Sequence, residues 1–307
     1  MVRPLKRLLR RFKPVGDAVV GALAVGMLRL FRLVDRKRLA NFTGAAMRRI
    51  GPLLREHRIG RANLTAAFPE KSPEEIERIL AGVWDNLGRV GAEFAHIDHL
   101  RILDMDTSGE ADCFYEPRTY EAYRGIRDDG QPGLFFSAHL ANWEIPAIAA
   151  TKFGIHGHIL FRRPNIPAVN DAIMEIRKGL MGTLVPTGLD APVRLLKALQ
   201  EGGHVGMLVD QHFVKGVDVI FFGRPAKANP LIAMLARHTE APIRGIRMVR
   251  LSDRNSFWGE VTDPITPARD AEGKVDIQGT MQAITDVIEA WVREHPEDWL
   301  WLHRRWR

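Results

Sequence analysis

His139 and Glu144 are the residues of this sequence whose types and spacing most directly predict chemistry. They lie in the segment Ser137-Ala138-His139-Leu140-Ala141-Asn142-Trp143-Glu144. Histidine can take a proton from a hydroxyl near neutral pH, because its unperturbed pKa is about 6.5. On one continuous helix, residues five apart are rotated by about 140° and could not easily meet. With His139 in a turn and Glu144 at a helix start, the carboxylate can reach the imidazole, hold its tautomer and stabilise the imidazolium, as in a catalytic dyad.

The spacing alone also permits a second interpretation, in which His139 caps a helix and Glu144 is an ordinary acid of the first turn. The apolar run Gly133–Ser137 predicts a strand directly before His139, which places the histidine at the carboxyl edge of a sheet. There is no G-x-S-x-G segment, and Cys113 has no obvious base beside it in the sequence. The residues therefore favour direct attack by an acceptor hydroxyl over a covalent acyl-enzyme.

Other polar clusters do not predict a metal or cofactor site. Residues 96–99 place two histidines around an aspartate, and His204, Asp210 and His212 could be written as a ligand set. Neither group has a recognised metal-site spacing. No dinucleotide or phosphate-loop pattern occurs, so we expect no metal and no nucleotide cofactor. The single cysteine excludes an internal disulfide and fits a reducing compartment.

The elements that must position these residues fall into two parts. Residues 37–105 have a helical pattern, with a helix start at Ser72-Pro73-Glu74-Glu75. Over residues 130–307, short apolar runs alternate with amphipathic stretches. The runs predict strands at Gly133–Ser137, His158–Phe161, His204–Val209 and Val217–Phe222, with helices at Trp143–Phe153, Ala168–Met181 and Ala191–Glu201. This alternation predicts an α/β fold with a mostly parallel central sheet flanked by helices, in one domain over 37–307.

Residues 1–36 combine a basic stretch with an apolar run. Six lysines and arginines precede the run Ala18–Leu28, which is shorter than the about 20 residues that a spanning helix needs. The order of charges resembles a signal peptide, yet no small-x-small cleavage site follows. We predict a membrane anchor that lies in, or partly inserts into, the cytoplasmic leaflet. The alternative is a core helix with a solvated basic tail.

The overall charge indicates anionic partners. The formal net charge is +7 and the pI is about 9.8. Anionic lipid, an acidic carrier protein and nucleic acid would all be attracted to such a surface. The basic residues are not interleaved with aromatics in a recognisable binding module, so we expect no nucleic acid.

Further segments carry polar residues beyond Glu144. They are Phe161–Pro167 with Arg162 and Asn165, Arg177 ten residues later, Asp210-Gln211, Phe221–Ala226, and the terminal segment His295–Arg307 with three tryptophans and three arginines. By its composition, that terminal segment could pack under the core or rest at a lipid interface.

These segments together resemble the bacterial lipid A biosynthesis acyltransferases, the lauroyl and myristoyl transferases, over nearly the whole chain. His139 and Glu144 match the family's H-x-x-x-x-D/E motif. Residues 161–167 are similar to its aromatic-Arg-x-x-Asn-Asn-Pro block, with Ile166 in place of the second asparagine. Residues 210–211 match a D-Q block, and residues 221–226 match an F-F-G-x-x-A turn. Ala228 stands where the family usually has threonine.

The resemblance implies a fold similar to the glycerolipid acyltransferases and transfer of an acyl chain from acyl carrier protein, a co-substrate, without a cofactor. The acceptor would be a hydroxyl of a lipid A precursor, a phosphorylated glycolipid, at the cytoplasmic face of the inner membrane among anionic lipids. His139 would be the general base, oriented by Glu144. Substrate binding would fall to Arg162, Asn165, Arg177, Asp210 and Gln211, where an arginine suits a phosphate or an oxyanion.

Other functions remain open at this level. A related acyltransferase could act on another membrane glycolipid, such as a mannosylated phosphatidylinositol, or on an ornithine or glycerol lipid. The chain could instead be a non-catalytic scaffold at the membrane surface, although it keeps both His139 and Glu144. A soluble thioesterase would give no reason for the basic, apolar N-terminus.

Overall fold

Residues 3–102 and 110–306 are described by the computed structural model of the chain. The helices are α1 (Arg3–Phe31), α2 (Arg36–Ile50), α3 (Arg55–Ala67), α4 (Pro73–Phe94), α5 (Pro117–Asp128), α6 (Ile145–Lys152), α7 (Pro167–Arg177), α8 (Ala191–Gln200), α9 (Leu231–Thr239) and α10 (Ile277–Glu294). The strands are β1 (Cys113–Tyr115), β2 (Gly133–Ser137), β3 (Gly157–Phe161), β4 (Thr183–Pro186), β5 (His204–Leu208), β6 (Val217–Phe221), β7 (Arg224–Ala228), β8 (Ile243–Arg250) and β9 (Phe257–Val261).

The central sheet has seven strands in the order β1-β9-β8-β2-β5-β3-β4. Every neighbouring pair is parallel except β8 and β9, which are antiparallel. Parallel neighbours need crossover connections, and helices in those crossovers cover both faces of the sheet. The predicted α/β fold with a mostly parallel central sheet and flanking helices is confirmed.

Two apolar cores lie on opposite faces of this sheet, because successive side chains of a strand point to opposite sides. Leu134 and Phe136 of β2 belong to one core, together with α8, α9, α10 and the terminal tryptophans. Phe135 belongs to the other core, with α5 and α6. All five residues of β2 are buried, as expected for a central strand that is covered on both faces.

Two local features differ from the prediction. The strand predicted at Val217–Phe222 is present over residues 217–221, but it pairs with β7 in a separate antiparallel hairpin and not with the central sheet. Phe222 and Gly223, both with positive φ, make the tight turn that forces this pairing. Helix α7 ends at Arg177 and not at Met181, because Lys178 leaves the helical conformation and Gly179 takes a φ of 75°.

The helical layer predicted for residues 37–105 contains α2, α3 and α4, and α2 lies along α4. Ser72 accepts from the backbone N–H of Glu75, and the Glu75 carboxylate accepts from the N–H of Ser72. This capping box starts α4 where the sequence predicted, and it satisfies two backbone donors of the first turn.

Helix α1 packs on α7 at Gly21, where an added Cβ would lie 3.0 Å from the Cβ of Ala168. Its other side is exposed and apolar, with Val19, Leu23, Met27 and Leu30 all more than half accessible. No helix within residues 3–102 and 110–306 combines the length and apolarity needed to cross a bilayer. The anchor expected in residues 1–36 stays a prediction.

Candidate active site

The loop that carries His139 leaves β2 at the carboxyl edge of the sheet, as the sequence predicted. Ala141 adopts a φ of 45°, a left-handed conformation that is strained for a residue with a side chain. Asn142 accepts a hydrogen bond from the N–H of Glu144, which is the N-cap of α6. The Asn142 amide also donates to Glu93 on α4, at 3.0 Å. The loop is therefore tied to the helical layer on one side.

Asp210 is the carboxylate that contacts His139. Nδ1 of His139 lies 2.8 Å from Oδ1 of Asp210, and the backbone N–H of His139 donates to Oδ2 at 3.0 Å. Asp210 follows β5, the neighbour of β2, so both residues reach the same edge of the sheet. The indole N–H of Trp299 donates to the same Oδ2 at 2.8 Å. The Asp210 side chain is inaccessible to solvent.

Glu144 takes a different partner from the one expected. Its two oxygens accept from Nε and Nη2 of Arg177, at 2.9 and 2.5 Å. Planar arginine favours this two-bonded geometry with a carboxylate. The prediction that Glu144 reaches back to hydrogen-bond the imidazole is therefore corrected: Asp210 orients His139, and Glu144 acts on it by charge.

The electrostatics of the pair favour a charged imidazole. Burial lowers the pKa of His139, but the charge and hydrogen bond of Asp210, together with the charge of Glu144, outweigh it and raise that pKa above its usual value. Burial also opposes ionisation of Asp210, yet the contacts with His139 and the nearby His303 hold the pKa of Asp210 well below its usual range. A proton that leaves a substrate can therefore be accepted and held at His139.

A cavity of about 700 Å³ opens beside the imidazole. At the His139 end it is lined by Trp143, Glu144, Arg177 and Gln211, whose side-chain amide lies 3.3 Å from Nε2 of His139. Away from His139 it follows the face of the sheet past Ile159, Gly206 and His204, among largely apolar residues. A polar cluster around His139 thus opens onto an apolar pocket that follows the strands.

The other residues considered in the sequence analysis differ in their burial and in their distance from the cavity. Arg162 is exposed and lines the cavity, whereas Asn165 is exposed on the segment before α7. Asp210 was grouped with the substrate-binding residues, but it is buried and hydrogen-bonded to His139. Cys113 is buried in β1, and burial raises the pKa of its thiol well above the usual range. A thiolate nucleophile at that position is disfavoured.

The terminal segment, for which the sequence allowed packing under the core or contact with a lipid interface, contacts the loop of His139 directly. The N–H of Leu300 donates to the carbonyl of His139 at 3.1 Å, and the N–H of Ala141 donates to the carbonyl of Asp298 at 2.9 Å. The tryptophan-rich composition could have indicated that the segment packs near the site, but nothing in the sequence indicates which indole reaches it.

A buried ionic network behind the loop was also missed. The fully buried Arg250 of β8 binds Glu93 through both terminal nitrogens, and its Nε donates to Asn86. Asn86 in turn donates to the carbonyls of Ala141 and Asp298. The sequence signal for this network was the spacing of Asn86 and Glu93 in α4. The two residues are seven apart and so lie on one face of the helix.

Residues 10–307 match the model of a protein family described as bacterial lipid A biosynthesis acyltransferase. A comparison with curated proteins finds no match to the chain. The family match includes the loop of His139, Asp210 and the described part of the terminal segment, so it covers every part of the candidate site described above. The chain belongs to the bacterial lipid A biosynthesis acyltransferase family.

Proposed function

We propose that the protein moves a fatty acyl chain from acyl carrier protein to a hydroxyl of a lipid A precursor, with His139 as general base. The observation that carries this proposal is the orientation of the imidazole. Nδ1 is held by the buried Asp210, while Nε2 lies beside Gln211, which lines the cavity. A neutral histidine fixed in this way carries its proton on Nδ1, so the lone pair of Nε2 is the one that can accept a proton.

The reaction needs no side-chain nucleophile. The acceptor hydroxyl passes its proton to Nε2 of His139 as its oxygen bonds to the thioester carbonyl carbon. The carbon–sulfur bond then breaks, and the departing pantetheine sulfur takes the proton from His139. Asp210 and the nearby Glu144 stabilise the imidazolium that exists between these steps.

Glu144 and Arg177 have a joint role in this scheme. Their side chains are 9% and 15% exposed and line the cavity, so substrate can approach both. The pair keeps the negative charge of Glu144 beside His139 while its net charge stays near zero. We assign Gln211, Arg162 and Asn165 to binding the polar part of the substrates. The amide of Gln211 lies 3.3 Å from Nε2 of His139, which supports a contact with the oxygen that reacts there.

The apolar part of the cavity is assigned to the acyl chain. Its lining includes Phe135, Ile159, Leu184 and Met207, which leave few polar groups for a sugar or phosphate to bind. In this proposal the thioester carbonyl lies at His139, where the cavity opens, and the hydrocarbon lies against the sheet. Burial of the chain is favoured by removal of its apolar surface from water.

The expected location is the cytoplasmic face of the inner membrane. The exposed side chains Val19, Leu23, Met27 and Leu30 repeat every three or four residues, so they form one apolar stripe along α1. A stripe of this kind next to basic residues suits the interface of an anionic bilayer. The net charge of +7 suits an acidic carrier protein and a phosphorylated glycolipid.

The test uses purified protein, acyl carrier protein charged with a fatty acid, and a lipid A precursor in mixed micelles. Mass spectrometry should show one added acyl chain on the precursor, and a folded His139→Ala protein should add none. Release of free fatty acid without transfer would favour a thioesterase. Transfer to a mannosylated phosphatidylinositol, and not to the precursor, would favour the related glycolipid acyltransferase. Full activity of the His139→Ala protein would contradict the assigned base.

A further inference from the structure

The terminal segment pairs through its backbone with the loop that carries His139. Leu140 and Trp299 form an isolated antiparallel bridge, and the hydrogen bonds of Leu300 and Ala141 flank it. This short ladder fixes the backbone on both sides of His139. Trp299 itself is 1% exposed.

The indole of Trp299 completes the set of donors around Asp210. Oδ1 of Asp210 faces Nδ1 of His139, whereas Oδ2 accepts from the backbone of His139 and from Nε1 of Trp299. With donors on both oxygens, the carboxylate is held in the plane that presents Oδ1 to the imidazole. Loss of the indole N–H would leave Oδ2 with the backbone donor alone and would leave buried negative charge less well solvated.

We propose that Trp299 is a positioning residue for acyl transfer, which acts on His139 through Asp210. This inference rests on the proposed function for its kinetic consequence. Trp299 does not contact substrate in this scheme. Its N–H fixes the carboxylate that in turn sets the tautomer and orientation of the base, as outer partners do for functional histidines elsewhere.

Trp301 provides a matched control inside the same segment. It is also fully buried, and its indole N–H also makes one hydrogen bond, to the carbonyl of Pro296 at 2.7 Å. Its ring packs on Phe68 and Phe222 and, edge-on, on Trp299, so Trp301→Phe also controls for packing changes next to Trp299. The two tryptophans therefore share burial, ring size and hydrogen-bond count, but Trp299 alone of the two donates to Asp210.

Other charged and titratable groups face the pair: Glu144 with its partner Arg177, and His303 and Arg305, which both interact electrostatically with Asp210. The ring of His303 also packs edge-on against Trp299, with 5.3 Å between the ring centroids. A replacement that keeps the ring and removes only the N–H leaves this packing intact, so a changed titration of His139 in such a variant would arise at Asp210. A carboxylate that loses a hydrogen-bond donor is more basic and stabilises the imidazolium more strongly. The pKa of His139 should therefore rise when the Trp299 N–H is lost.

The experiment compares Trp299→Phe with Trp301→Phe in the full-length protein. For Trp299→Phe we expect kcat to fall about tenfold, with KM for the acceptor little changed. This is the lower end of the losses that follow removal of the hydrogen-bond partners of metal-binding histidines. The acid limb of the pH profile and the imidazole titration of His139, followed by NMR, should both move to higher pH. Trp301→Phe should keep the wild-type titration and kcat per folded molecule.

A second replacement separates positioning from packing. Benzothienylalanine at position 299 keeps the size of the ring system and replaces the N–H by sulfur, so it should reproduce the kinetic and titration changes without loss of thermal stability. Wild-type behaviour of this variant would overturn the proposal. If the wild-type protein does not acylate the lipid A precursor, the proposed function fails. The NMR titration still tests the contact, because it needs no substrate.

Discussion

Arg177 holds both oxygens of Glu144 while Asp210, 71 residues beyond His139, accepts the hydrogen bond from the imidazole. The two carboxylates near His139 therefore have different partners. Asp210 fixes the imidazole ring, whereas the charge of Glu144 is balanced by Arg177. Substitution of each carboxylate should have a different effect.

Replacing Asp210 by asparagine should reduce kcat by about 10³- to 10⁴-fold. An amide can present its N–H₂ to the imidazole and favour the wrong tautomer, as when the aspartate of a catalytic triad is replaced. Steady-state transfer rates measure the loss, and circular dichroism checks the fold. A decrease of less than tenfold in a folded protein would contradict the orienting role of Asp210.

Glu144→Ala and His139→Ala should both abolish measurable transfer without unfolding the protein. For Glu144 the reason is twofold: the variant removes charge beside the imidazolium and leaves Arg177 unpaired at the cavity. In a double-mutant cycle of unfolding free energies, which does not depend on activity, the loss for Glu144→Ala with Arg177→Ala should be smaller than the sum of the two single losses, because each single variant leaves one charge unpaired. The surface pair Asp190 and Arg194 is the control, since its coupling energy should be small. Additive losses at Glu144 and Arg177 would show independent roles.

The pH dependence follows from the raised pKa of His139. The base is active only when neutral, so the rate should rise with pH through that raised pKa, with a midpoint above the usual value of about 6.5. Asp210→Asn removes the main stabilising charge and should move the midpoint to lower pH. Rate profiles from pH 5 to 9 measure both midpoints. An acid limb below the usual histidine range in the wild type would contradict a carboxylate-paired base.

Gly206 is expected to help set the acyl chain length. It lines the cavity, and an added Cβ would lie 3.0 Å from Cδ1 of Ile159. Gly206→Val should lower kcat/KM for long acyl donors more than for short ones, with an overpacking cost of about 1–3 kcal/mol in unfolding free energy. Adding Ile159→Ala should restore part of the room and part of the long-chain activity. Equal losses for all chain lengths would place the acyl chain elsewhere.

Ionic strength should act mainly on substrate encounter. High salt is expected to raise the apparent KM for acyl carrier protein more than it lowers kcat, because charge attraction between a protein of net charge +7 and an acidic partner is screened. Initial rates from low to high salt measure both constants. A KM that does not depend on salt would argue against electrostatic steering.

The sequence predicted those parts of the fold whose pattern is local. Strands β2, β3 and β5 are short apolar runs, and each was found within a residue or two of its predicted bounds. Strand β8 was missed because arginines interrupt it at positions 244, 247 and 250. Two of those arginines are buried against Glu93 and Glu260, which lie 157 and 13 residues away on other elements, so the pairing leaves no pattern within the strand.

The same limit applies to the site. The turn after β2 placed His139 correctly, because a strand end and a following helix are local features. Its pairing with Asp210 depends on β5 lying next to β2, which periodicity does not specify. Glu144, five residues away, was the nearer candidate in sequence and proved to be paired with Arg177 on α7.

The contacts that hold the loop of His139 also imply an order of assembly during folding. Asp210 lies 89 residues from Trp299, and Asn86 donates to the carbonyl of Asp298 across 212 residues. Chain entropy must be overcome before such distant segments meet, so they form slowly compared with helices and hairpins. In a refolding reaction, helical circular dichroism should therefore return before the activity does, and the enzyme should become competent only when its most distant segments have met.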